Sequence, residues 1–168
     1  MRSPGRSKPR GIHANIAGDM SLLRVVIDTN VLVAATRDRN GASFKLMQYL
    51  RQEHFSACAS STLFLEYEAV LKRAEQRRVS GLSIQDVDTM LHELARLIQP
   101  VALHFRWRPQ LRDANDEMVL EAAANAGADA IVTFNQRDFV PAAKQFDLDI
   151  RLPAEVLKQL GSTQGKPS

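Results

Sequence analysis

Hydrophobic positions in this chain fall into short continuous runs separated by longer stretches of helical period. Leu22–Ile27 is almost wholly apolar, which suits the centre of a parallel sheet covered on both faces. Spacings of three and four predict helices at about Ser43–Arg51 and Thr62–Arg78, with Phe55–Ala59 as a short strand between them. After Gly81, Ser83 stands where a helix cap belongs. The predicted helix runs to about Ile98 and carries Asp86 in the acidic first turn that the helix dipole favours. Pro100 introduces a predicted strand, Val101–Phe105, and the basic loop RWRPQLR leads into a helix from about Asn115 to Ala126, ended by Gly127. Ala130–Phe134 reads as another buried strand, Asp149–Leu152 as a short one and Pro153–Leu160 as a last helix. This alternation predicts an α/β fold, a central parallel sheet of four or five strands with helices on both faces.

With 168 residues and 45% hydrophobic content, the chain has room for one domain with a real core. That domain is expected over residues 21–160. The preceding stretch, rich in Gly, Pro, Ser and Arg without apolar period, is expected to be a disordered basic tail, and residues 161–168 a flexible one. Two readings of residues 1–19 stand open: Met20 is the native start, or the tail is a basic arm that touches RNA. Arg2, Arg6, Lys8 and Arg10 against Asp19 alone give this tail a net +3, the whole excess of the chain, so the body is neutral. No apolar run approaches the roughly 20 residues needed to span a bilayer, and no secretory pattern opens the chain, so a cytoplasmic protein is expected. The lone Cys58 cannot form an internal disulfide and reads as a core thiol.

Parallel α/β sheets place their chemistry just beyond the carboxyl ends of the strands. Three places put metal-competent polar groups there: Asp28-Thr29-Asn30, then Asp113 to Asp116, then Thr133 with Asn135 and Asp138. Asp28 follows a buried apolar run, where a carboxylate costs stability unless something such as a cation compensates it. Asp113 fits a helix cap as well as a catalytic role, and Asp116 falls in the first helical turn beyond it. Glu66 and Glu68 lie at opposite margins of one apolar helix face, so periodicity does not choose between them. Asn135 and Asp138 follow a strand in a turn, where such residues also serve simply as backbone partners.

The runs VVIDTNVLVAA, SSTLFLEYEAVLKR and DANDEMVLEAAANAGADAIVTFNQRDF together resemble the PIN-domain family, most of all the toxin-antitoxin PIN toxins related to VapC. The resemblance spans about Leu22 to Leu160. It implies a PIN-like three-layer sandwich in which Asp28, Glu66 and Asp116 are metal-binding acids and the VTFNQRDF turn supplies the fourth group. Asn135 stands where many relatives have Asp, so Asn135 and Asp138 share that role. Thr133 would orient the cluster, with Thr29, Asn30 and Asp113 in support. The resemblance further implies an endoribonuclease that cleaves single-stranded RNA with metal-activated water, a homodimer, and a small antitoxin encoded alongside.

Clustered carboxylates argue for a hard divalent ion, Mg²⁺ or Mn²⁺. His13, His54, His92 and His104 show no paired spacing and support no acid-base role. Arg106, Trp107, Arg108 and Arg112 form a candidate RNA-binding loop of cations around a stacking ring, though Trp107 also fits the core. Lys72, Arg73, Arg77 and Arg78 read as a solvated helix end. An aspartyl-nucleophile phosphatase needs a second Asp where Asn30 stands, and falls away. A PIN fold that binds RNA or protein without cutting is the rival of a different class, favoured by Asn135.

Overall fold

The computed structural model of the chain describes residues 13–14, 20–104 and 111–164. A two-residue antiparallel pair, β1 (His13–Ala14) and β2 (Met20–Ser21), precedes the main fold. The chain then runs β3 (Arg24–Ile27), α1 (Thr29–Arg37), α2 (Ala42–Arg51), β4 (Ser56–Ala59), α3 (Ser61–Leu71), α4 (Ala74–Ser80) and α5 (Ile84–Leu97). It continues through β5 (Gln99–Pro100), α6 (Ala114–Ala126), β6 (Ala130–Val132), α7 (Gln136–Ala143), β7 (Asp149–Arg151) and α8 (Pro153–Gln164). Five strands form one all-parallel sheet in the order β5-β4-β3-β6-β7.

Successive strand residues face opposite sides of a sheet, yet Val25, Val26 and Ile27 are all buried, so both faces of β3 are covered. The expected helix-flanked parallel sheet is the observed architecture. Val31 and Leu32 from α1, Leu63 and Tyr67 from α3, Val119 and Leu120 from α6, and Phe139 from α7 join the strands in one core. Cys58 lies in that core as a free thiol, and burial pushes its pKa up. Among the described residues, no helix is long and apolar enough to cross a membrane.

Local chemistry sets most boundaries. Ser60 caps α3 by accepting the Leu63 N–H at 3.1 Å, and Ser83 with Asp86 forms a reciprocal capping box on α5. Gly127 ends α6 at φ 58, a left-handed conformation that a side chain disfavours.

Five elements differ from the sequence reading. The third strand is Gln99–Pro100 rather than Val101–Phe105, because its partner β4 ends at Ala59 where Ser60 turns into α3, and the Val101 N–H to Ala59 O bond of 3.0 Å is the last rung. The helix expected over Thr62–Arg78 breaks at Lys72 and Arg73. There the Lys72 ammonium pairs with Asp88 at 2.7 Å, and Arg77 Nε donates to the freed Lys72 carbonyl at 3.1 Å. Residues 29–37, which the apolar pattern leaves unassigned, form α1. Asn135 and Asp138, read as lying in a turn, stand at the head of a helix, α7, over residues 136–143, and α8 extends to Gln164.

Candidate active site

The chain builds outward from β3 through β4 to β5, then crosses to the other side of β3 for β6 and β7. A crevice opens where strand order reverses, beyond the carboxyl ends of β3 and β6. Asp28 ends β3 there, and its N–H donates to Val132 O of β6 at 2.9 Å. Thr133, fully buried just past β6, donates its hydroxyl to Asp28 Oδ2 at 2.7 Å. The same hydroxyl oxygen accepts the Asn135 N–H at 2.9 Å and a longer contact from Asn30 Nδ2 at 3.5 Å. Thr133 therefore joins both strand ends to α1 and to the head of α7.

Asp28 occupies the N-cap position of α1, but its carboxylate makes no cap hydrogen bond. With 6% exposure, burial pushes its pKa up, the Thr133 hydroxyl and the N–H groups of Thr29 and Asn30 pull it back, and the Asp113 charge raises it further. Asn30 Oδ1 is buried and accepts no hydrogen bond among the described residues.

Asp113 caps α6, accepting the Asn115 N–H at 2.7 Å. Asp116, one turn in and 8% exposed, has its pKa pushed up to about 6, first by burial and then by the charges of Asp28, Asp113, Asp138 and Glu117. These acids thus share one electrostatic neighbourhood. Beside them an open cleft of ≈ 490 Å³ is lined by Leu111, Arg112, Asp113, Asp116, Arg137, Asp138 and Pro141.

Asn135 stands exposed at the N-cap of α7, with no cap bond from its side chain, and Asp138 lies exposed in that helix's first turn. Glu68 faces Lys72 at 3.5 Å, whereas the half-buried Glu66 makes no hydrogen bond or ion pair among the described residues. Its neighbour Tyr67 is fully buried and donates its hydroxyl to Ile27 O, tying α3 to the residue before Asp28. Glu66 is not among the charges that shift Asp28 or Asp116. Arg106, Trp107 and Arg108 lie outside the described residues, while Arg112 is exposed on the cleft. Arg137 and Tyr67 were not singled out from sequence. Only the periodicity of α7, with Phe139 buried, would have flagged Arg137 as a cleft residue.

Asp28, Asp116, Asp138 and the unpartnered Asn30 oxygen are all hard oxygen donors, the chemistry that suits Mg²⁺-like ions. Among the described residues, however, no three His, Cys, Asp or Glu side chains stand close enough to hold an ion as they are.

Fold and site together define an α/β protein with mutually repelling carboxylates at a topological switch point. The PIN-domain family profile matches residues 24–137, and the chain belongs to that family, whose members are in general nucleases. Among solved structures, VapBC2 from Rickettsia felis, bound to a DNA fragment from its promoter, shares 14% identity at a TM-score of 0.54, over 77% of this chain and 98% of the other. FitAB bound to the IR36 DNA fragment shares 14% identity at a TM-score of 0.49, over 77% of this chain and 94% of its own. No curated protein sequence matches. At these identities the structural likeness is one of fold.

Proposed function

We propose that the chain is a divalent-metal-dependent endoribonuclease that cleaves single-stranded RNA, the toxin of a toxin-antitoxin pair. The observation that carries this reading is the meeting of Asp113, Asp116 and Asp138 on one cleft; Asp116 is raised first by burial and then by the charges of Asp28, Asp113 and Asp138, a cost that a cation among them relieves. Asp28 and Asp116, with Asp138 and Glu66, would hold Mg²⁺ or Mn²⁺, and the free Asn30 oxygen offers a further donor. When bound, such an ion makes water a better nucleophile and offsets charge on the departing 3′ oxygen. The chain's own part is positional. Thr133 fixes the Asp28 carboxylate through its 2.7 Å bond, and Tyr67 fixes α3, which carries Glu66, against the end of β3. Asn135 shares the fourth position with Asp138.

The resemblance to the VapC-related toxins supports a small antitoxin partner for this chain and a homodimer. The absence of a converging acid triad among the described residues favours a second reading, a PIN fold that binds RNA or protein without cutting. Carboxylates without a cation stand apart by repulsion, so the two readings differ in what metal does.

Cleavage of a mixed pool of structured and single-stranded RNA by the purified chain, with Mg²⁺, with Mn²⁺ and with EDTA, separates them. The nuclease reading expects cutting that needs metal and disappears in Asp28→Asn. No cutting under any metal, from folded protein free of antitoxin, would sink it in favour of the binding module.

A further inference from the structure

The cleft beside Asp116 carries two cations that its carboxylates leave unused. Arg112 enters from the segment before α6 and Arg137 from the first turn of α7, and both are exposed. Asp113, Asp116 and Asp138 line the same cleft. Neither guanidinium makes a hydrogen bond or ion pair among the described residues. Elsewhere in this chain, cations near carboxylates do pair: Arg51 with Glu93 at 2.8 Å, Lys72 with Asp88 at 2.7 Å, and Arg151 with Asp149 at 3.0 Å. The first turn of a helix is also a poor place for a cation, because the dipole there is positive. Arg137 therefore gains nothing visible within the fold from its position.

What these two groups can do follows from charge and geometry. Three carboxylates against two guanidiniums leave the cleft net negative, so an anionic strand entering it is repelled unless both arginines meet it. A guanidinium presents a planar fork that matches two phosphate oxygens, and such contacts carry no information about base or sugar. We propose that Arg137 and Arg112 anchor the phosphodiester backbone of a single-stranded nucleic acid across the acidic cleft, and that this anchoring does not distinguish ribose from deoxyribose. The inference rests on the nuclease reading for the identity of the ligand. Any preference for RNA over DNA must then come from other residues.

The test is binding of a labelled single-stranded RNA, and of the DNA of the same sequence, to the full chain in EDTA across a salt series. Arg137→Ala is expected to weaken both strands by about fivefold to tenfold at low salt and to reduce the salt slope by about 0.7, the value of one phosphate contact on a single strand. Arg112→Ala should act alike, and Arg137→Lys should keep most of the slope while losing part of the affinity. Both side chains are exposed, so unchanged thermal unfolding of the variants serves as the folding control. Unchanged affinity and slope in Arg137→Ala, a loss confined to RNA, or no binding of either strand by the parent protein would each overturn the proposal. The nuclease reading fails separately. If the chain never cuts yet the arginine variants release the strand, the anchor stands alone. If it cuts and Arg137→Ala keeps its KM, the anchor falls.

Discussion

Replacing Asp116 by Asn should stabilise the protein, and by an amount that depends on pH in a defined way. Folded Asp116 titrates at about 6, against 3.8 for the ordinary carboxyl. Well below pH 4 the group is protonated in both folded and unfolded chains and contributes nothing. Between about pH 4 and pH 6 the unfolded chain gives up its proton first, so the native state binds more protons and stability falls as pH rises. Above pH 6 the cost levels off at about 1–3 kcal/mol, the upper end following from about 1.36 kcal/mol per pKa unit and solvent screening at the open cleft lowering it. The Asp116 side chain accepts no hydrogen bond among the described residues, so an amide of the same shape forfeits none. Asp116→Asn is therefore expected to be more stable than the parent by about 1–3 kcal/mol at neutral pH, with the difference shrinking toward zero below pH 4. Urea denaturation followed by circular dichroism, in metal-free buffers across that range, measures it. Magnesium should then raise the stability of the parent more than that of the variant, because a cation relieves the repulsion that the substitution has already removed. A stability difference that stays constant from pH 4 to pH 8, or a variant less stable throughout, would refute the account of Asp116 as a repelled carboxylate.

Thr133→Val removes the hydroxyl that donates to Asp28 and accepts from Asn135. It should cost about 1–3 kcal/mol in urea denaturation and move the acid limb of any metal-dependent activity to higher pH, since the group favouring ionised Asp28 is gone. Tyr67→Phe leaves the Ile27 carbonyl without its hydroxyl donor in a fully buried place. A loss of about 1–2 kcal/mol is expected in the same assay, with no dependence on pH near neutrality. Ser83→Ala opens the capping box of α5, an exposed cap remote from the cleft, and should lower stability by about 1 kcal/mol while leaving RNA cleavage unchanged.

The strands and the buried acids were legible in the sequence for reasons that also limit what could be read. A strand buried on both faces shows as an unbroken apolar run, and an Asp directly after such a run is conspicuous because an uncompensated charge there costs so much. The same signal hid α1: Val31 to Ala35 is as continuously apolar as β3, and periodicity cannot separate a strand's continuation from a helix packed on its inner side. The head of α7 was hidden by its own composition, since Asn135 to Asp138 carries turn chemistry and only the burial of Phe139 beyond it marks a helix. The break at Lys72 coincides with an ion pair to Asp88 on another helix, and the end of β5 with the place where its partner strand turns away. No local pattern contains either.

The same holds for the centre of the site. Asp28 and Thr133 are 105 positions apart, and their bond exists because β6 pairs with β3 rather than with β5, so that both chains leave the sheet at one crevice. Once that crossing is made, Asp116 stands within the fields of Asp28 and Asp138, and its pKa is raised first by burial and then by those charges. Which acids meet at this edge is thus decided by strand order, so the sequence offers candidate acids one by one while their proximity appears only in the fold.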